Sequence, residues 1–278
     1  MNGQTTRAFR LVADPVQLKA AVRRAAGRHN QLYAARLEHL LASYTPDDRN
    51  IRFYLLEDRK HRTGVLGFYG NSGILLTERG FAPADLAALL DYTVGAGDFI
   101  ACARKDGLRL PLFLRRKNWH FSSGDSFRLP DALCVRKPCR MDVQLRAARP
   151  SYDDIGLYWS LFRSGFAGFA GKKRDAFYLE QNHLLRHQTA ELWGLYDRNG
   201  ALLCGCEVAE GSERLRYLFD LTTDRNFRRK GLAAALVRGV AAQDRRPLWL
   251  SAQDASLSRY YADLGMVKSG RWMQLRRR

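Results

Sequence analysis

The pattern of apolar and polar positions is most regular in the second half of the chain, where strand-like and helix-like runs alternate. The predicted elements are a strand over residues 215–223, a helix over 232–243, a strand over 247–251, a helix over 254–265 and a strand over 267–275. Asp254 or Ser256 can cap the start of the second helix, and Gly265 can end it. Two strand–helix units in tandem predict an α/β core.

A basic segment joins the first of these strands to its helix. It has the pattern Arg228-x-x-Gly231-x-Ala233, with Arg229 and Lys230 inside it. A helix N-terminus presents unpaired backbone N–H groups and the positive end of the helix dipole, and both favour an anion. Gly231 is expected to let a ligand approach the backbone. The segment therefore indicates a phosphate-bearing cofactor, and the alternative is a basic first turn that binds nothing.

Two further motifs flank this segment with specific spacing. Residues 221–227 form the strand end and lead-in before it, and Tyr261-x-x-x-Gly265-Met266 lies after it. Together with the basic segment, they resemble the GNAT superfamily of acyl-CoA-dependent N-acyltransferases. In that family the corresponding loop holds the pyrophosphate of coenzyme A, and the strand end pairs with pantetheine.

The resemblance covers about residues 140–278, because residues 143–153 are similar to the family's opening strand and first helix. It departs from the family pattern at Arg225, where Pro is usual, and at Asp254, where Asn is commoner.

The resemblance implies a site for acetyl-CoA and no metal. The implied cofactor-binding residues are Leu221, Thr223, Arg228, Arg229, Lys230, Gly231, Leu232, Ala233, Asp254 and Ser258. Tyr261, by its match to the family position, is implied to be the general acid that protonates the leaving thiolate, and its alternative role is aromatic packing.

The expected reaction also needs a base. An amine acceptor is protonated near neutral pH and has to lose a proton before it attacks a thioester. The candidates on or beside the two central strands are Glu207, Glu210, Tyr217 and Asp220. Strand alternation places Tyr217 and Asp220 on opposite faces unless a bulge intervenes, so the sequence does not choose among the four. Backbone N–H groups near residues 221–223 are expected to stabilise the oxyanion formed on attack.

The first half of the chain contains a related pattern. Residues 77–90 match residues 223–236 at seven of fourteen positions, at a constant offset of 146 residues, although common Ala and Leu positions inflate the match. The basic segment is replaced there by Ala82-Pro83-Ala84-Asp85. We therefore predict two tandem GNAT-like α/β domains with mixed central sheets flanked by helices. The first, residues 1–135, is a degenerate copy that walls the acceptor site, and the second, residues 140–278, is catalytic.

Composition limits the remaining possibilities. A net charge of +18, from 46 basic and 28 acidic residues, exceeds what one CoA requires and leaves a nucleic-acid partner open, but no basic–aromatic RNA motif appears. No apolar run is long enough for a membrane span, the N-terminus is polar, and the five cysteines show no disulfide spacing, so a cytoplasmic protein is expected. Cys204 and Cys206 are interpreted as packing residues.

Two classes of function remain open from the sequence. The favoured one is transfer of an acetyl or other acyl group from acetyl-CoA to a primary amine of a small or amino-acid-like acceptor, by direct attack in a ternary complex. The other is a non-catalytic protein on the same fold that senses acyl-CoA or binds RNA. The intact basic loop and Tyr261 favour the enzyme, whereas the net charge and the undecided base keep the alternative.

Overall fold

The chain divides into two units, each built from helices and strands. A computed structural model describes residues 9–45, 48, 50–58, 60–114, 118–135, 137–165, 169, 173–210 and 212–278. One unit runs to Ser126 and also includes Gly270–Arg278, and the other is Phe127–Ser269. No helix among the described residues is both long and apolar enough to cross a membrane.

The first unit is a mixed sheet with helices. Its elements are β1 (Phe9–Leu11), α1 (Pro15–Ala25), α2 (Gln31–Ser43), β2 (Ile51–Glu57), β3 (Thr63–Tyr69), β4 (Ser72–Thr77), α3 (Pro83–Thr93), β5 (Phe99–Ala103), α4 (Arg104–Gly107) and α5 (Leu110–Leu114), followed in the chain by β6 (Trp119–Leu129). Strands β1 to β4 pair antiparallel in sequence order, and β5 joins β4 in parallel.

The second unit repeats this arrangement. Its elements are β7 (Gln144–Ala147), α6 (Tyr152–Gly165), α7 (Arg174–Arg186), β8 (Ala190–Tyr196), β9 (Leu202–Ala209), β10 (Arg216–Thr223), α8 (Leu232–Ala241), β11 (Leu248–Ala252) and α9 (Ala255–Asp263), followed by β12 (Val267–Arg277). Strands β7 to β10 pair antiparallel, and β11 joins β10 in parallel.

The internal repeat predicted from the sequence corresponds to equivalent elements. Thr77 ends β4 and Thr223 ends β10, and each strand is followed by a helix and then by a parallel strand. The aligned segment therefore marks the same turn in two copies of one fold. The prediction of two tandem α/β domains with mixed sheets is confirmed.

The last residues of the chain belong to the first unit. In β12, residues from Trp272 to Arg276 pair antiparallel with β5, with Leu275 opposite Ile100. Leu275 is fully buried and Met273 nearly so, both in the core of that unit. The predicted division between residues 135 and 140 did not anticipate this, because a strand pattern does not specify its partner.

Helices pack against both faces of the sheet in the second unit. Cys204 and Cys206 of β9 and Leu218 of β10 lie in a core formed with α8 and α9. The opposite face is covered by α6 and α7 through an aromatic cluster that includes Phe162 and Phe177. Because side chains alternate along each strand, the two faces present different residues to different helices.

Candidate functional site

The parallel strands β10 and β11 pair only where they begin. Arg216 lies opposite Leu248 and Tyr217 opposite Trp249, and the paired register does not extend along the rest of either strand. Beyond this point β10 continues to Thr223, and its last three residues, Leu221, Thr222 and Thr223, line a cleft of about 470 Å³. Strand backbone that leaves its partner has N–H and C=O groups free for a ligand.

A β-bulge bends β10 beside this cleft. Phe219 lies opposite Glu207 and Thr222 opposite Gly205, so two residues of β10 face one residue of β9. Asp220, inside the bulge, has a left-handed backbone with φ of 54°. Bulges are frequent next to active sites because they redirect side chains and end strand pairing. The bulge interrupts strand alternation after Phe219, so alternation does not place Tyr217 and Asp220 on opposite faces.

The basic segment forms one wall of the cleft. Gly231 caps α8 with φ of 84°, and Arg229 also has a left-handed backbone, with φ of 64°. No side chain caps α8, so the N–H groups of its first turn are available to an anion. Arg228 Nε donates to the carbonyl oxygen of Thr223 at 3.3 Å, which links the loop to the end of β10. Arg228, Arg229 and Lys230 are all exposed.

Gly231 packs closely against another part of the backbone. A Cβ atom on this residue would lie 2.1 Å from the carbonyl oxygen of Pro138, so the direction that a side chain would take is filled by backbone. The N–H of Arg140 also donates to the carbonyl oxygen of Lys230 at 3.0 Å. Glycine is therefore required for its left-handed φ and for close packing of the chain on itself, not for approach of a ligand from that side.

Tyr261 lies in the opposite wall, on α9. It is 6% exposed, lines the cleft and packs against Phe127 with ring centroids 5.8 Å apart. Burial raises the pKa of Tyr261 well above its ordinary value, and the nearby Tyr260 and Tyr217 add to this. The hydroxyl therefore stays protonated over the whole neutral range and can donate a hydrogen bond into the cleft.

Most, but not all, of the predicted cofactor residues meet in the cleft. Those that line it are Leu221, Thr223, Arg228, Arg229, Gly231, Leu232 and Ala233. Lys230, Asp254 and Ser258 are not part of its lining. Lys230 places its Nζ 4.9 Å from the ring centroid of Phe227, and Asp254 caps α9 by accepting from the N–H of Leu257 at 2.8 Å. An Asp before a helix is well explained by this capping alone.

The lining also contains four residues outside the sequence motifs, Lys137, Gly165, Leu257 and Tyr260. Two more, Thr222 and Phe227, lie within the lead-in motif 221–227 but were not among the predicted cofactor residues. Gly165 ends α6, where a Cβ atom would meet the methyl group of Thr222 at 2.3 Å. Tyr260 precedes the motif tyrosine, and burial raises its pKa to about 12. Lys137 precedes the second copy of the repeat and carries no sequence signal beyond its charge.

The four base candidates have different environments. Glu210 forms ion pairs with Arg216 and Arg246, and although burial raises its pKa, both guanidinium groups oppose that change. The pKa of Glu210 is raised on balance, but both of its oxygens are held by arginines, which leaves the carboxylate little freedom to reach an acceptor amine. Glu207 is 3% exposed, and its Oε2 accepts from Nε2 of Gln181 at 2.8 Å.

Tyr217 and Glu207 share one face of the sheet. The rings of Tyr217 and Phe219 stack with centroids 5.7 Å apart, and Phe219 lies directly opposite Glu207. The bond from Gln181 of α7 identifies this as the face covered by α6 and α7. Asp220 follows on the same strand, inside the bulge.

Comparison with known proteins identifies the fold. The sequence matches no family model and no curated protein. It is similar in structure to a tandem GNAT protein from the clavulanic acid biosynthesis pathway, at 13% identity and a TM-score of 0.61 over 97% of each chain. A GCN5-related N-acetyltransferase from Kribbella flavida is 14% identical, with a TM-score of 0.59 over 90% of this chain and 95% of that one.

A third solved structure extends over nearly the whole chain. An acetyltransferase of the GNAT family from Colwellia psychrerythraea is 14% identical, with a TM-score of 0.59 over 98% of this chain and all of that one. At 13–14% sequence identity, this similarity shows the fold alone. The chain has the tandem fold of GNAT acetyltransferases.

Proposed function

We propose that the second unit binds acetyl-CoA and transfers its acetyl group to a primary amine. The observation that carries this proposal is the cleft itself. Diverging parallel strands, a bulge, an open helix N-terminus with basic side chains and a buried tyrosine surround one space of about 470 Å³. Exposed strand backbone suits the amide groups of pantetheine, and the start of α8 suits the pyrophosphate.

The reaction proceeds by direct attack of the amine nitrogen on the thioester carbonyl carbon. A C–N bond forms, the carbonyl oxygen becomes an oxyanion, and collapse of this intermediate breaks the C–S bond. Backbone N–H groups at the end of β10 stabilise the oxyanion. The proton lost by the amine passes to a base, and the departing sulfur receives one.

Tyr261 assists the departure of the sulfur. A thiol has an ordinary pKa of about 8.5, so full proton transfer from a tyrosine with a raised pKa is unfavourable. The hydroxyl therefore stabilises the thiolate by donating a hydrogen bond as negative charge develops, and solvent completes the transfer. For the base we favour the carboxylates beside the bulge, Glu207 and Asp220, over Glu210, whose carboxylate is paired with two arginines.

The acceptor binds on the face covered by α6 and α7. Two buried polar atoms among the described residues of this face lack a hydrogen-bond partner: Oε1 of Gln181 and Nε1 of Trp249, which lies beside Tyr217 on the neighbouring strand. Buried polar groups are normally paired, so these atoms are suited to a polar ligand. An amino-acid-like acceptor carries both donors and acceptors that match them.

The test measures acetyl transfer to a panel of amines, amino acids and aminoacyl-tRNA. Mass spectrometry of both products, free CoA and the acetylated acceptor, avoids interference from the five cysteines. Turnover of at least one acceptor, sensitive to Trp249→Phe and Gln181→Leu in KM, is expected. Tight binding of acetyl-CoA without turnover of any acceptor would support the acyl-CoA sensor instead.

A further inference from the structure

The two motif glycines of the second unit, Gly231 and Gly265, pack against the same stretch of chain. A Cβ atom on Gly265, at the end of α9, would lie 2.2 Å from the carbonyl oxygen of Cys134, just as one on Gly231 would lie 2.1 Å from that of Pro138. Residues 134, 135 and 137–140, called the strap below, therefore pass from the end of α9 to the start of α8. Two left-handed glycines at these helix ends leave space for the strap, which a side chain would fill.

The strap is held by further contacts near each end. Val135 is 2% exposed and belongs to the core beneath α8 and α9. At the other end, the N–H of Arg140 donates to the carbonyl oxygen of Lys230. A backbone fixed on both sides restricts the positions available to the side chains between these contacts.

Lys137 lies between the fixed points and lines the cleft. Its Nζ is 5.1 Å from the ring centroid of Tyr260, and Arg228 and Arg229 line the same cleft. The described lining thus has three cationic side chains and no carboxylate. Like charges that converge on one space repel each other, and a multiply charged anion removes that cost.

We propose that the strap is part of the cofactor site and that Lys137 binds a phosphate group of coenzyme A. This inference rests on the proposed function and assigns to that site a residue outside all of its sequence motifs. Coenzyme A offers two targets, the pyrophosphate and the 3′-phosphate. Because the strap packs on both motif glycines, it adds to the cleft lining a cation from a segment that is distant in sequence from the α8 loop.

The experiment is calorimetric titration of the full chain with CoA and with 3′-dephospho-CoA. Lys137→Met keeps the aliphatic stem on Tyr260 and removes the charge, whereas Lys137→Arg keeps the charge. Lys173→Met, at an exposed lysine that precedes α7 outside the cleft, is the matched control for the loss of one positive charge. We expect Lys137→Met to weaken CoA binding about five- to tenfold. This loss of affinity lies between the one expected for an exposed ion pair and the one expected for a hydrogen bond to a charged group.

The variants and ligands separate the possible outcomes. Lys173→Met is expected to bind CoA within about twofold of the parent protein, as surface changes without a ligand contact do. Lys137→Arg, which keeps the positive charge in the cleft, is expected to recover most of the affinity that Lys137→Met loses. A loss confined to CoA assigns Lys137 to the 3′-phosphate, and an equal loss for dephospho-CoA assigns it to the pyrophosphate. CoA affinity unchanged in Lys137→Met, with a parent protein that binds CoA, overturns this inference alone. A parent protein that binds no CoA overturns the proposed function as well.

Discussion

The equivalent strand pairs of the two units differ at the position where a cofactor would bind. In the first unit, β4 and β5 pair in parallel from Ser72 to Leu75, and the β3–β4 register runs to Thr77 without a shift. In the second unit, β10 and β11 pair over two residues only, and a bulge interrupts β10. One fold therefore produces a closed strand pair in one copy and a cleft in the other. The difference lies in strand pairing, which a short loop motif does not reveal.

The end of β4 is also occupied by side chains. The N–H of Thr77 donates to Oδ2 of Asp106, and its carbonyl oxygen accepts from Nδ2 of Asn30. Asn30 is 1% exposed, and Asp106 further pairs with His29. The equivalent residue in the second unit, Thr223, lines the cleft. Both backbone groups of Thr77 are thus paired with buried side chains, whereas the carbonyl oxygen of Thr223 accepts from the exposed Arg228.

The helices that follow these strands begin differently as well. In the first unit Oδ2 of Asp58 accepts from the N–H of Ala82, the residue that precedes α3. Burial alone would raise the pKa of Asp58, but hydrogen bonds that include this one hold it below the ordinary value. The chain supplies its own anion at the start of α3, whereas the start of α8 carries basic side chains. We therefore expect only the second unit to bind coenzyme A.

The largest expected effect concerns the stability of the first unit. Leu275→Ala deletes a fully buried side chain from the strand that pairs with β5, and such cavities cost about 2–5 kcal/mol. Urea unfolding followed by circular dichroism measures this loss. Acetyl-CoA affinity under conditions where the variant is folded is expected to remain unchanged, because all described lining residues of the cleft lie in the second unit. A parallel loss of affinity would contradict the separation of roles.

The next effect tests the charge of the cleft. The double change Arg228→Ala and Arg229→Ala is expected to weaken acetyl-CoA binding about 100-fold, because each charged hydrogen bond contributes about 1.5 kcal/mol or more. Calorimetry should also give one bound ligand per chain. Arg23→Ala with Arg24→Ala, at exposed positions of α1, removes the same charge and should leave affinity unaltered. Two ligands per chain would show that the closed strand pair of the first unit opens.

The role of Tyr261 is tested by removal of its hydroxyl alone. Tyr261→Phe is expected to lower kcat by about 10- to 100-fold with little change in acetyl-CoA affinity, because the lost hydrogen bond acts on the departing thiolate. Tyr260→Phe, at the neighbouring tyrosine of the same cleft, is the matched control. Equal kcat in the two variants, under conditions where chemistry limits turnover, would assign Tyr261 to packing.

A smaller effect is expected from the polar network that closes the first unit. Asn30→Ala leaves the carbonyl oxygen of Thr77 without its side-chain donor, which costs about 1–3 kcal/mol of stability for a buried group. Thermal unfolding measures the loss. The substitution should not create binding of acetyl-CoA at this position, since β4 and β5 stay paired over four residues. New binding would show that the network alone excludes the cofactor.

The smallest effect is a loss of stability at alkaline pH. The pKa of Tyr261 is raised by folding above its ordinary value of 10.0, so above that pH the unfolded chain loses this proton while the folded chain keeps it. The protonated Tyr261 therefore contributes fully to the free energy of unfolding well below pH 10, and this contribution falls as pH rises. At pH 10.5 the loss is less than about 1 kcal/mol. Urea midpoints between pH 8 and 10.5 should fall less steeply for Tyr261→Phe than for the parent. Equal slopes would contradict burial of the hydroxyl.

Local pattern predicted much of the candidate site. Arg228 and Gly231 were predicted from the strand–helix turn, which local pattern specifies, and Tyr261 from its match to the family motif, and all three line the cleft. Lys137 and Gly165 were not, because they reach the cleft from segments distant in sequence. The sequence also did not choose among the base candidates, because strand alternation fails at a bulge whose position depends on pairing with β9.

Three features could be predicted from the sequence: the element order, the repeat at residues 77 and 223, and the positive charge at the start of α8. These follow from local periodicity and residue chemistry, which each segment carries alone. Three others became visible in the folded chain: β10 and β11 diverge while β4 and β5 stay paired, Gly231 and Gly265 pack against the strap, and residues 270–278 complete the first unit. Each of these features depends on which segment pairs or packs with which. Hydrogen bonds between distant segments do not change the periodic pattern of either segment, so the pattern does not identify the partner.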